Sequence, residues 1–156
     1  MQRIHFQDIP KGMFENLMAT EQFINDSTLG MHLLELVRLR VAQKNGCAYC
    51  VDMHHKELKA LGESDLRLSS LCVWEETNYF SEKEIAVLCF TENLTNLSKS
   101  PIGDEIYDPL LSFFTKEEIC YLTLAIAQIN TWTRLMKTFR FVPGQHKVQV
   151  HDEAAQ

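Results

Sequence analysis

Apolar residues recur every three to four positions along almost the whole chain, which is the spacing of amphipathic α-helices. The pattern stops and restarts at short polar segments, which divide the chain into six or seven helices. The predicted helices cover residues 10–24, 29–44, 47–62, 65–74, 81–97, 100–114 and 115–139. The 156 residues include only six glycines and four prolines, too few for the many tight turns of an all-β chain. The sequence therefore predicts an all-α helical bundle.

Several local signals place the ends of these helices. Ser81–Glu84 and Thr115–Glu118 are capping boxes, in which a hydroxyl and a carboxylate bind free N–H groups at a helix start. Ser27–Thr28 offers capping hydroxyls for the second helix, and Asn45–Gly46 is a typical stop signal. Pro109 is expected to interrupt the sixth helix or to end it early.

The length and charge of the chain limit its domain organisation and its function classes. We find no linker or internal repeat and predict one domain over residues 1–156. The net charge is −6 and no cluster of Lys and Arg is present, so we expect no nucleic-acid or anionic-membrane partner. The longest apolar stretch, near residues 121–127, is far below the roughly 20 residues that span a bilayer. The five cysteines do not form a dense disulfide pattern and the start lacks a secretory signal, which favours the cytoplasm.

The distribution of apolar residues also predicts a homo-oligomer. The seventh helix is apolar around most of its circumference, so we expect it to be central. Three cysteines are interpreted as small buried apolar residues: Cys72, Cys89 and Cys120. Other large apolar side chains fall on peripheral elements: Met13, Phe14, Leu17, Phe23 and Trp74. If they remain exposed they mark an interface between copies, and the alternative is that they close the core of the single chain.

The segment Gly46–His55, Gly-Cys-Ala-Tyr-Cys-Val-Asp-Met-His-His, contains the residues best suited to chemistry. At 100° per residue, Cys47, Cys50 and His54 fall within roughly 60° of one another on a helix, whereas His55 falls on the other side. Three apolar residues continue the face of the cysteines: Val51, Leu58 and Leu61. We therefore expect both sulfurs and His54 to point inward.

This arrangement is suited to thiol chemistry. A free thiol has a pKa of about 8.5, and a helix N-terminus favours its reactive thiolate form. His54, one turn later, can exchange a proton with the sulfur, and the second thiol can condense with a sulfenic acid to form a disulfide. A zinc site formed by Cys47, Cys50, His54 and a fourth ligand is the alternative. Because no second closely spaced ligand pair is present, we expect no metal and no other bound cofactor.

The preceding helix adds a carboxylate to this group. Glu35 lies among Met31, Leu34 and Leu39, on or near the apolar face of the second helix. A buried carboxylate there can accept or donate a proton for the cysteines. The alternative is a simple ion pair with Arg38, about one turn further on.

These residues resemble a known motif. Glu35, the Cys47–Cys50 pair that begins twelve residues later, and His54 are similar to the core motif of the alkyl hydroperoxidase D-like branch of the carboxymuconolactone decarboxylase superfamily. Residues 81–92 and the segment Asn130–Arg134 are also similar to that branch, except that Thr133 stands where a second asparagine is expected. The resemblance covers residues 29–142, which we take as the core of the domain.

The resemblance implies a helical bundle that assembles as a trimer or hexamer and reduces hydroperoxides. Carried over from the matching positions of the family motif, the roles are as follows: Cys50 attacks the peroxide, Cys47 resolves the product into a disulfide, and His54 and Glu35 form a proton relay. An external dithiol or thioredoxin-like protein then supplies the electrons. Two alternatives remain open: a lyase of the carboxymuconolactone decarboxylase type, and a non-enzymatic redox-sensing or interaction module.

Overall fold

A computed structural model describes residues 1–97 and 101–148, and within them the fold is all-α, as predicted. Seven α-helices follow one another in these ranges, with no strand between them: α1 (Met13–Asn25), α2 (Met31–Lys44), α3 (Ala48–Ala60), α4 (Asp65–Ser70), α5 (Glu82–Thr95), α6 (Asp104–Tyr107) and α7 (Lys116–Phe139). Short 3₁₀ segments occupy Phe6–Asp8, Leu71–Glu76 and Asp108–Ser112.

Helix α2 forms the centre of the bundle. Its ten consecutive residues from Leu33 to Ala42 are all buried, because α3, α5 and α7 pack against it. This buried stretch includes Glu35, Arg38 and Arg40. Since a buried charge is costly unless it is paired, these side chains must find polar partners inside the protein. The centre of the fold therefore contains a polar network as well as an apolar core.

The seventh helix, predicted to be central, packs against α1, α2, α3 and α5. One side of α7 is buried and packs within the bundle through residues that include Ile119, Leu122 and Ile126. The other apolar side is only partly covered: Leu124 is half-buried, whereas Cys120 and Ala127 are exposed. Helix α7 therefore lies among four other helices but is not enclosed on every side in the single chain.

The capping signals give mixed outcomes. Both capping boxes are confirmed, with Ser81 and Thr115 as the N-cap residues of α5 and α7. The N-cap of α2 is Gly30 rather than Ser27 or Thr28. Thr28 instead donates a hydrogen bond of 3.0 Å to Glu118 at the start of α7.

The fourth and sixth predicted helices are shorter than expected. The fourth is divided into α4 and the 3₁₀ segment Leu71–Glu76, and Val73 within that segment has non-helical backbone angles. The sixth begins at Asp104, and its predicted first residue, Ser100, lies outside the described residues. The interruption expected at Pro109 is confirmed, since the α-helix stops at Tyr107 and gives way to a 3₁₀ segment.

The predicted burial of the three remaining cysteines was wrong. Cys72 and Cys120 are exposed and Cys89 is half-buried. The peripheral apolar residues differ in their exposure: Trp74 is buried, whereas 56% of Phe23 is exposed. The reason is that helical phase gives the relative direction of side chains but not which side another element covers.

Among the described residues, no helix is long and apolar enough to cross a membrane.

Candidate functional site

The Cys47–Cys50 pair lies where the turn after α2 leads into α3. Gly46 in this turn has a φ of +60°, a conformation that strains residues with a side chain. Cys47 is the N-cap of α3, and its Sγ accepts a hydrogen bond of 3.4 Å from the backbone N–H of Cys50. The turn therefore places one sulfur at the positive end of the helix, as expected.

The two sulfurs are close to each other and hidden from solvent. Their Sγ atoms lie 2.6 Å apart and share a hydrogen bond, and both cysteines are free thiols. The separation is longer than the roughly 2.05 Å of a disulfide bond. Cys47 is 1% exposed and Cys50 is 3% exposed, which confirms that both point inward. A reactant can therefore reach either sulfur only when neighbouring side chains move.

The hydrogen bond between the sulfurs separates their acidities. Donation from the Cys50 thiol outweighs the effect of burial and, with the Cys50 backbone N–H and the Lys137 ammonium, lowers the pKa of Cys47 to about 7. The same hydrogen bond, together with burial, raises the pKa of Cys50. These opposite shifts make Cys47 the first of the two thiols to ionise as the pH rises.

Glu35 and His54 meet beside the start of α3. The Nδ1 atom of His54 lies 2.7 Å from Oε2 of Glu35, and both side chains are buried. This contact confirms the sequence inference that His54 points inward, while the neighbouring His55 is exposed. Leu61, expected on the same face, is instead 46% exposed because the helix ends before it, at Ala60.

Glu35 is also paired with Arg38, as the ion-pair interpretation expects. Its Oε1 atom accepts a hydrogen bond of 2.8 Å from Nη1 of Arg38. Burial raises the pKa of Glu35, but the charges and hydrogen bonds of His54 and Arg38 outweigh it and lower the pKa overall. Glu35 therefore stays ionised although it lies in the core.

Arg38 extends this network to α1 and α7. Its Nη2 atom donates to Oε2 of Glu21 at 2.6 Å and to Oδ1 of Asn25 at 2.7 Å. Glu21 in turn accepts a hydrogen bond of 2.7 Å from Nε1 of Trp132 on α7. Polar groups of four helices thus fix the orientation of the Glu35 carboxylate.

Sequence reasoning did not identify Glu21. A signal was present, because Glu21 shares the helical spacing of the apolar residues Phe14, Leu17 and Ile24 on α1. A carboxylate at such a position must find a buried partner, which is the argument that identified Glu35. Trp132, its partner, lies in the segment that resembles the family motif.

The site therefore consists of two adjacent pairs, Cys47–Cys50 and Glu35–His54. Within the described residues, no hydrogen bond joins His54 directly to either sulfur. His54 nevertheless lies one turn after Cys50 on the same buried face of α3. The arrangement can supply a thiolate, a second thiol, and a carboxylate-supported imidazole that exchanges protons. In the described parts of the chain, no three His, Cys, Asp or Glu side chains are grouped to hold a metal ion.

Comparison with known proteins agrees with this geometry. Residues 10–93 match the sequence model of the carboxymuconolactone decarboxylase family. YdfG, an uncharacterized protein of Bacillus subtilis, is 34% identical over 135 residues, which are 86% of this chain and 91% of YdfG.

Solved structures share the fold. A protein of unknown function from Agrobacterium tumefaciens, for which the name AhpD and a role in antioxidant defence have been suggested, has a TM-score of 0.87 and 34% identity. That match covers 96% of this chain and 100% of the other. An uncharacterized peroxidase-related protein from Ralstonia eutropha, described as an alkylhydroperoxidase AhpD core, has a TM-score of 0.75 at 19% identity. That match covers 85% of this chain and 70% of the other, and at this identity the likeness concerns the fold alone.

Proposed function

Because the chain belongs to the carboxymuconolactone decarboxylase family, in its alkyl hydroperoxidase D-like branch, we propose that it is a thiol-dependent peroxidase that reduces hydroperoxides. The observation that carries the proposal is the 2.6 Å approach of two free sulfurs at the start of α3. Two thiols at this distance can be oxidised to a disulfide with little movement of the backbone.

In the proposed reaction Cys50 attacks the peroxide and Cys47 first serves as its base. The thiolate of Cys47 accepts the proton of the Cys50 thiol, with which it already shares a hydrogen bond. The Cys50 sulfur then bonds to the terminal peroxide oxygen while the O–O bond breaks. The products are the Cys50 sulfenic acid and an alcohol, whose oxygen takes up one proton.

The second step closes the disulfide. Cys47 loses its proton again and attacks the Cys50 sulfur, and the sulfenic hydroxyl leaves as water once it has accepted a proton. An external dithiol then reduces the disulfide and is itself oxidised to a disulfide. One peroxide and one dithiol are consumed in each cycle, and no bound cofactor takes part in it.

We assign the remaining proton transfers, to the alcohol oxygen and to the sulfenic hydroxyl, to His54 and Glu35. Glu35 accepts a hydrogen bond from Nδ1–H of His54. Nε2 of the ring is then free to deliver a proton to the departing oxygen and to recover one later. Arg38 keeps the carboxylate ionised and oriented. The relay depends on His54 lying one helical turn from Cys50.

The proposal extends to partners and location. We propose that the reductant is a dithiol or thioredoxin-like protein, that the chain forms a homo-trimer or homo-hexamer, and that it acts in the cytoplasm, where thiols are kept reduced. The support for assembly is the uncovered apolar surface of the single chain, which includes Met18 and Phe23 on α1.

Steady-state peroxide consumption tests the proposed activity. Purified protein supplied with cumene hydroperoxide and dithiothreitol should consume peroxide over many turnovers. Cys50→Ser should abolish this, and Cys72→Ser, a matched change at an exposed cysteine, should leave it intact. Equal consumption by wild type and Cys50→Ser would refute the peroxidase.

Two further assays on the same protein distinguish the two alternative functions, the lyase and the redox sensor. Decarboxylation of carboxymuconolactone that survives Cys50→Ser would identify a lyase, whose reaction does not need paired thiols. A single oxidation of the Cys47–Cys50 pair without sustained turnover would identify a redox sensor.

A further inference from the structure

Lys137 of α7 lies over the turn that leads to the Cys47–Cys50 pair. Its Nζ atom donates a hydrogen bond of 2.5 Å to the backbone carbonyl of Asn45. The same atom is 3.8 Å from the position that a Cβ atom on Gly46 would occupy. Cys47 is the next residue of the chain, so the ammonium group is held near the start of α3 even though Lys137 is exposed.

The turn itself is fixed by α7. Nδ2 of Asn45 lies 2.9 Å from Oδ1 of Asn130 and 3.0 Å from Oγ1 of Thr133. Arg134 donates to the same Asn130 oxygen at 2.9 Å. The segment that resembles the family motif therefore holds the Asn45 side chain, and Lys137 holds the Asn45 carbonyl. These contacts define the position of the ammonium group relative to the first turn of α3.

The other charged groups around Cys47 are already engaged or belong to the pair. On α3, the titratable neighbours of Cys47 are Cys50 and Tyr49. The Cys50 thiol is hydrogen-bonded to Cys47, and the pKa of Tyr49 is raised by burial and by the negative charge of the cysteines. On α7, Lys137 supplies a positive charge that acts on Cys47.

The cations of α2 are engaged with carboxylates. Lys44, at the end of this helix, is paired with Glu92 at 2.6 Å, and Arg38 is paired with Glu35 and Glu21. Lys137 differs from them because its hydrogen bond goes to a neutral carbonyl, which leaves its charge available to the sulfur.

We propose that Lys137 is a positioning residue of the site, whose ammonium group holds the single negative charge of the reduced pair on Cys47. The charge then lies on the sulfur that acts as the base for Cys50. This inference rests on the proposed function in taking the pair as the reactive centre, but it concerns a charge that is present before any peroxide arrives.

Titration of the thiolate absorbance near 240 nm tests this proposal without peroxide. The first ionisation of the reduced wild type should have a midpoint near pH 7, well below the value of about 8.5 for ordinary thiols. Lys137→Gln should raise this midpoint by about 0.5 to 1, which lowers the thiolate fraction at pH 7 about two- to fivefold. Lys137→Arg should keep the wild-type midpoint because it keeps the charge.

Lys116→Gln is the matched control. It removes the same charge from the exposed first residue of α7, about 30 Å along the helix from Lys137. Because Lys137 is exposed, 1 M salt should move the wild-type midpoint in the same direction as Lys137→Gln and should have little effect on that variant.

Three results would overturn the inference: an unchanged midpoint in Lys137→Gln, an equal change in Lys116→Gln, or a change that also appears in Lys137→Arg and ignores salt. The last result would mean that Lys137 only supports the turn. A shifted midpoint in a protein that does not turn over peroxide would remove the proposed function and leave this inference standing. Turnover with no shift would do the reverse.

Discussion

Glu35 on α2 and His54 on α3 are joined by a contact of 2.7 Å between a carboxylate oxygen and Nδ1 of the ring. The contact assigns the ring hydrogen to Nδ1 and leaves Nε2 to accept a proton or, once protonated, to donate it. Arg38 donates a hydrogen bond of 2.8 Å to the other oxygen of the same carboxylate. The carboxylate is thereby held in place, and it fixes the orientation of the His54 ring. In the proposed mechanism this pair exchanges protons with the oxygen atoms that leave.

We expect Glu35→Gln to lower peroxide turnover about 100-fold, since removal of a positioned acid–base group typically has an effect of this size. The free energy of unfolding should fall by only about 1–2 kcal/mol, because Arg38 keeps Glu21 as an anionic partner. Peroxide consumption and urea unfolding of the variant check the two expectations.

Glu117→Gln is the control for this change, since it removes an exposed carboxylate from the first turn of α7. It should leave turnover at the wild-type level. If Glu35→Gln and Glu117→Gln had the same activity, Glu35 would be only a structural partner of Arg38, and the relay would be wrong.

The pH dependence of disulfide formation should follow the ionisation of Cys47. Its pKa of about 7 lies below the usual value because the Cys50 thiol donates a hydrogen bond to it, so its thiolate forms as pH rises through 7. The rate of reaction with peroxide should fall about tenfold for each pH unit below 6 and level off above 8. Acid-quenched samples analysed by mass spectrometry give this rate, and a midpoint near 8.5 would show that neither thiol is activated.

The inward direction of Cys47, Cys50 and His54 was predictable because it depends only on helical phase within a few residues. The same argument located Glu35 on the buried face of α2. Local sequence also predicted the starts of α5 and α7. At each start the N-cap hydroxyl accepts a hydrogen bond from the backbone N–H three residues later, and the carboxylate of that later residue accepts one from the N-cap backbone N–H. These features need no knowledge of how the helices pack.

Contacts between distant segments were not predictable in this way. Glu21 meets Arg38 across 17 positions and Lys137 meets Asn45 across 92, and only the packing of α1 and α7 against the central helix brings them together. The exposure of Cys72 has the same origin, because periodicity does not say which side of a peripheral element a neighbour covers. Charge pairs between distant segments of the core thus had to be read from the structure.

The absence of a metal is a separate prediction. The sequence has one closely spaced cysteine pair, and His54, the third potential ligand, is engaged by Glu35. Elemental analysis of the purified protein should therefore find no stoichiometric zinc. One zinc per chain that is lost on His54→Ala would replace the redox interpretation with a metal site.

Assembly can be measured directly. Large apolar side chains are exposed on the single chain, among them Phe6, Met18 and Phe23, each more than half exposed. Copies of the chain should cover such a surface, so light scattering at micromolar concentration should give three or six times the 18.1 kDa of one chain. A mass near 18.1 kDa would contradict the oligomer.

The central claim is that the Cys47–Cys50 pair reduces peroxide, and a single-turnover oxidation tests it most directly. Fully reduced protein is mixed with one equivalent of cumene hydroperoxide, free thiols are blocked, and the peptides are analysed by mass spectrometry. The account predicts that the peptide with Cys47 and Cys50 loses two hydrogen atoms, while the exposed Cys72 and Cys120 stay reduced. Oxidation of Cys72 or Cys120 with the Cys47–Cys50 pair still reduced would contradict it.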